Sequence, residues 1–192
     1  MDWMMKKNGF TLIEMVVVIV ILGILAVTAA PRFLNLQTDA RNSALAGLKG
    51  AVESGVGIGY GKMVMAGLES RPHITNNDSS DNDTGKYIGE PIPIPGCELN
   101  TAQRCVFRYG YPEADFYTIT TLVDGISKHY QQDKDWAITR IDGKMIITDT
   151  ANLDYSNIAD EVPALRNDNC YLRYTPPSSK DDSYHLELIA CL

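Results

Sequence analysis

A single carboxylate stands inside an otherwise oily run near the start of this chain. Between residues 10 and 30 only Thr11, Glu14, Gly23 and Thr28 are not hydrophobic, and residues 15–27 are nonpolar without a break. At about 1.5 Å per helical residue, residues 10–31 reach roughly 33 Å, enough to cross a bilayer core. Lys6 and Lys7 precede the run; Pro31 and Arg32 close it. The positive-inside tendency keeps the lysines cytoplasmic and sends the C-terminal part outward. The 192 residues then accommodate one polar, globular domain plus this appendage.

Three readings of the run compete. It is a plain signal anchor, or a secretory signal cut near Val27-Thr28-Ala29, or a segment whose cut falls ahead of it, after Gly9, so that the helix survives. Glu14 discriminates. A carboxylate in an apolar span costs about 3 kcal/mol on the mildest insertion scale, and a discarded signal or simple anchor has no use for it. A cut after Gly9 exposes the α-amine of Phe10, one helical turn from Glu14. The two groups can pair within a chain or between neighbouring chains, where they would set the stagger of packed helices.

Lys6-Lys7-Asn8-Gly9-Phe10-Thr11-Leu12-Ile13-Glu14 resembles the processing signal of type IV prepilins and type II secretion pseudopilins. The resemblance implies cleavage between Gly9 and Phe10 by prepilin peptidase, N-methylation of Phe10 and a contact from Glu14 to the Phe10 amine of a neighbouring subunit. It also implies loosening of the helix at Gly23 and Pro31 in an assembled filament; glycine weakens a helix and proline removes a backbone bond. Residues 24–37, Tyr109-Gly110-Tyr111-Pro112 and Cys170-Tyr171-Leu172-Arg173-Tyr174 are similar to the pilin group of the mannose-sensitive haemagglutinin (MSHA) pilus. That likeness covers roughly the first 55 residues well and the remainder patchily.

Past Pro31 the pattern becomes amphipathic, with Phe33, Leu36, Ala40, Ala44, Leu48 and Val52 near a 3.6-residue period. This face is expected to pack on a sheet, with the helix ending at residues 55–61 or slightly later. The glycines at 55, 57, 59 and 61 do not fit the GxGxxG spacing and follow no strand, so they read as close packing or fraying rather than a nucleotide loop. Residues 76–83 form an acidic, Asn- and Ser-rich stretch. The calcium-loop register fails there, which leaves an exposed loop.

Residues 105–111 read as a strand, and residues 113–130 as a helix from the spacing of Phe116, Ile119, Val123, Ile126 and Tyr130. Residues 136–148 read as a hairpin turning at Asp142-Gly143, and residues 170–175 and 184–191 as two further strands joined by residues 176–183. Cys97, Cys105, Cys170 and Cys191 are even in number, form no CxxC pair and follow an export-like segment, so two disulfides are expected. Three pairings are possible; the sequence-adjacent one, Cys97–Cys105 with Cys170–Cys191, is the expectation. Such bridges are worth about 2.5 and 3.4 kcal/mol in the chain-entropy model. The second resembles the bridge bounding the C-terminal region of type IV pilins.

Net charge is −7, and −8 without the first nine residues, which argues against a nucleic-acid binder. No nucleophile motif, HExxH or zinc spacing occurs, and His73, His129 and His185 are scattered. No catalysis, cofactor or metal is expected.

The expected fold is therefore α+β. Residues 1–9 are a leader, residues 10–31 the transmembrane and filament-core half of a long helix, and residues 32–68 its amphipathic half with the start of a loop. Residues 69–192 are a head with a disulfide-bounded C-terminal region. The resemblance implies an inner-membrane precursor that becomes a structural subunit of an extracellular pilus and attaches it to surfaces. Its partners would be copies of itself, prepilin peptidase, the inner-membrane assembly platform, minor pilins, and extracellular surfaces or carbohydrate. The rival readings are a minor pilin or pseudopilin, and a secreted binding domain released by conventional cleavage.

Overall fold

The computed structural model describes residues 10–77, 88–99, 101–128, 131–156 and 162–192. In chain order these form α1 (Leu12–Met65), β1 (Ile74–Thr75), β2 (Ile88–Gly89), β3 (Val106–Arg108), β4 (Tyr111–Pro112), α2 (Ile119–Leu122), β5 (Trp136–Ile141), β6 (Lys144–Asp149), β7 (Leu153–Asp154), β8 (Ala164–Leu165), β9 (Tyr171–Thr175) and β10 (His185–Ile189). The fold is α+β and consistent with the type IV pilin fold. Two compact units divide between Ala40 and Arg41.

The first unit is helical throughout its described length beyond Thr11. Its valines and isoleucines are mediocre helix formers. In an apolar medium, however, a helix satisfies every backbone group internally, and that decides the conformation.

The second unit is built on an antiparallel sheet of order β10-β9-β6-β5 and a smaller one of order β2-β1-β3-β4, in which β1 and β2 run parallel. Leu45, Leu48, Val52 and Val56 of α1 are buried with Ile138, Met145, Ile147, Leu172 and Tyr174 of the larger sheet. Each such side chain contributes about 1.5–3 kcal/mol by leaving water. The packed stripe begins at Leu45, later than the expected one: Leu36, Ala40 and Ala44 are exposed. A second core gathers Met63, Leu68, Ile74, Ile92, Ile94, Phe107 and the Cys97–Cys105 disulfide.

The β5–β6 hairpin turns at Asp142 and Gly143, both with positive φ (50° and 73°), the geometry of a two-residue turn matched to strand twist. Residues 105–111 are not one strand. Tyr109 and Gly110 also take positive φ, 49° and 79°, and fold the chain back so that Arg108 faces Tyr111.

Nor are residues 113–130 a continuous helix; among the described residues only α2 is helical. The Asp115 carboxylate accepts from the Tyr117 and Thr118 amides at 3.0 and 2.7 Å, and the Thr120 and Thr121 hydroxyls donate to carbonyls three residues back. Side chains that bond the local backbone in this way compete with helix propagation. Val123 is extended, Gly125 has φ +86°, and Ile126 bridges to Trp136. The apolar spacing still reports burial, since Ile119, Val123 and Ile126 all enter the core. His129 and Tyr130 lie outside the described residues.

Asn76, expected in an exposed loop, is 1% exposed. Its Nδ2 lies within hydrogen-bond distance of the Glu98 carbonyl, the Thr101 hydroxyl and the Gln103 carbonyl, and its Oδ1 accepts from the Cys105 amide at 2.8 Å. One carboxamide thus gathers the loop closed by Cys97–Cys105. Replacing Asn76 by Ala strands the buried Cys105 amide and removes one donor from the Glu98 and Gln103 carbonyls, an expected loss of about 2 kcal/mol, read as a lower thermal midpoint of the oxidised protein. The acidic residues that follow, from position 78 to 83, lie outside the described residues.

Candidate functional site

Helix α1 opens on a reciprocal pair. The Thr11 amide donates to Glu14 Oε2 at 2.7 Å, the Thr11 hydroxyl donates to the same oxygen at 2.6 Å, and the Glu14 amide donates to Thr11 Oγ1 at 3.4 Å. This is a capping box, in which a residue before the first turn and an acid three positions on satisfy each other's orphan groups. Thr11 is the residue that reading the sequence missed. Its signal was present: Thr-x-x-Glu directly ahead of an apolar run is the motif. The carboxylate is therefore supported within its own chain as well as available to an amine.

From residue 12 to 29 the helix has a mean hydropathy of 2.8, and none of this stretch is buried within the chain. Ile13, Ile19, Ile24 and Leu25 each expose more than half their surface, and Phe10 and Leu12 82%. An apolar surface of this extent requires lipid or other protein. The one hydroxyl deeper in the run, Thr28, donates back to the Leu25 and Ile24 carbonyls at 3.0 and 3.3 Å, so it takes no unmet polar group into an apolar medium.

The helix runs through both Gly23 and Pro31, and a side chain at Gly23 would meet nothing within 4 Å. Gly9 lies outside the described residues. Phe10 stands just ahead of the helix, so a cut at its amide would place a new amine beside the Thr11–Glu14 box.

At the other end of the chain, Cys170 is bridged to Cys191. Asn42 on α1 holds both backbone groups of Cys191, accepting from its amide at 2.7 Å and donating to its carbonyl at 3.3 Å. The Thr148 hydroxyl donates to the Cys170 carbonyl at 2.8 Å. The C-terminal strand pair is thus fixed to the helix and to the middle of the sheet.

Residues 4–30 match the family described as the prokaryotic N-terminal methylation motif. The chain is type IV pilin-like at its N-terminus. Over 54 residues it is 44% identical to the type IV narrow pilus major component PilA5 of Thermus thermophilus, an alignment covering 28% of this chain. It spans about half, 47%, of that curated relative. No solved structure matches the chain. The family likeness thus covers residues 4–30, the first part of the apolar helix and the residues ahead of it.

Proposed function

We propose that this chain is a structural, non-catalytic subunit of an extracellular type IV pilus of the MSHA-like kind, assembled through its N-terminal helix and serving surface attachment. The observation that carries the reading is the exposed apolar run of α1, residues 12–29, in which the single carboxylate, Glu14, lies one turn after the Gly9–Phe10 junction. In the precursor the helix sits in the inner membrane. Prepilin peptidase removes residues 1–9, Phe10 is N-methylated, and the assembly platform passes the helix from lipid into a bundle of neighbouring helices. Residues 10–31 then form the filament core and residues 32–68 the amphipathic continuation, with residues 69–192 as the coat. Gly23 and Pro31 are where the packed helix would loosen, and Cys97–Cys105 and Cys170–Cys191 are the bridges of the mature coat.

The relative's description as a major pilus component supports a major rather than a minor subunit here. Subunit stoichiometry in sheared filaments separates these two.

N-terminal mass spectrometry of the mature protein tests the processing step. The expected species begins with N-methylated Phe10. A mature protein beginning at Ala30 would overturn the proposal, because the helix would have been discarded as a conventional signal.

A further inference from the structure

Beside the β3–β4 turn, and bordered by β5, lies a cavity of about 410 Å³ with Arg104, Arg108, Arg140, Glu113, Asp115 and Phe116 in its wall. We propose that it binds the carboxylated ring of an acidic saccharide. The proposal rests on the attachment half of the reading above and is independent of filament assembly.

The charges in the wall divide unequally. Arg108 donates to Glu113 Oε2 from Nε and Nη2 at 2.8 and 2.7 Å, and Glu113 Oε1 accepts from the Ala114 amide at 3.1 Å. Asp115 accepts from the Thr118 hydroxyl at 2.6 Å as well as from the Tyr117 and Thr118 amides. Burial raises its carboxyl above the ordinary value, against those hydrogen bonds and the charge of Arg104. Both carboxylates are thus committed to the protein's own donors.

Three guanidinium groups face two carboxylates, leaving a positive excess in a chain whose net charge is −7. Arg140 carries that excess. Its guanidinium lies 6.0 Å from the centre of the Phe116 ring, and among the described residues it makes no ion pair.

Planar guanidinium forks suit carboxylates. An aromatic ring beside them supplies the apolar surface that a sugar's C–H face needs, and the volume is in the range of small-ligand sites. A nucleic-acid backbone fits poorly, because it calls for a row of cations rather than one excess charge.

The full-length chain in detergent micelles, titrated calorimetrically with trigalacturonate, tests this without requiring filaments. The neutral galactose trisaccharide and inorganic phosphate are the comparison arms. Trigalacturonate should bind, and more weakly as salt is raised. Arg140→Gln should lower its affinity about tenfold, the scale of one charge-assisted contact, and adding Arg104→Gln should lower it further. Both side chains are exposed, so the variants should keep the parent circular dichroism. Equal affinity for the neutral sugar, unchanged affinity in the folded double variant, or equally effective displacement by phosphate would each overturn the proposal. The phosphate outcome would leave a simple anion site. Because Arg140 lies outside the assembly helix, filament yield in Arg140→Gln should stay at the parent level whatever the titration shows.

Discussion

Glutamine at position 14 will leave the precursor inserted in the membrane and its leader removable, yet filaments will be lost. The substitution separates two roles that alanine would confound. Glutamine still serves at the third position of a capping box, so the Thr11 contacts and the helix start persist. What disappears is the charge. If the carboxylate pairs with the Phe10 amine of a neighbouring subunit in the apolar interior of the filament, removing one partner leaves the other charge buried alone, at about 3–5 kcal/mol. Repeated at every subunit, that cost stops growth, and sheared-filament yield should fall by more than about a hundredfold. Thr11→Val is the complementary variant. It removes the hydroxyl cap, costs about 1 kcal/mol at the helix start, keeps the charge, and should still make filaments. Normal filament yield from Glu14→Gln would show that the acid serves the helix cap alone and would end the register argument.

The capping box also shows where reading the sequence fell short. Glu14 is conspicuous as a charge among hydrophobic residues, but its short-range partner, Thr11, stands three residues earlier as an ordinary polar residue at the edge of the run. Elsewhere, local chemistry was sufficient. Asp142-Gly143 specified its turn because few residue pairs accept two successive positive φ angles. Periodicity was a weaker guide: Ile119, Val123 and Ile126 were recognisably core residues, but the threonines and Asp115 between them bond their own backbone and Gly125 ends the segment, so burial followed the pattern and helicity did not. In α1 the apolar period and phase were sound, since Leu48 and Val52 enter the core, but the packed stripe starts later than expected, at Leu45, and Leu36, Ala40 and Ala44 stay exposed. Asn76 looked like one more polar residue in an Asn- and Asp-rich stretch. Its role depends on carbonyls about 22–27 positions away, and no local motif encodes that. The cavity is the same kind of case: Arg140 comes from β5, Arg108 from β3 and Arg104 from the segment before β3, and only the tertiary fold brings them to one wall.

The four closely spaced glycines on α1 allow the second large effect to be argued from geometry. A methyl group at Gly55 would stand 2.7 Å from the Leu122 carbonyl oxygen and 2.8 Å from Val123 Cγ2, and one at Gly59 would stand 2.9 Å from Leu122 Cδ2. The Gly59 contact is with the end of a flexible side chain and can relax. The Gly55 contact is with main chain, in the segment that carries Ile119 and Val123 into the core. At Gly57 nothing lies within 4 Å. Two glycines with the same helix propensity therefore predict opposite outcomes. Gly57→Ala should stabilise the chain by about 0.8–1 kcal/mol, the cost of glycine in a helix interior. Gly55→Val should destabilise it by about 3–4 kcal/mol, the upper end of overpacking effects, because the helix must move away from α2 to admit the side chain. In thermal unfolding of the unassembled chain in detergent, the midpoint should fall by about 10 °C for Gly55→Val and rise by about 3 °C for Gly57→Ala. Equal shifts at the two positions would mean that glycine there serves helix flexibility rather than close approach. The contact that seats α1 against the head would then have to be sought in the Leu45-to-Val56 stripe alone.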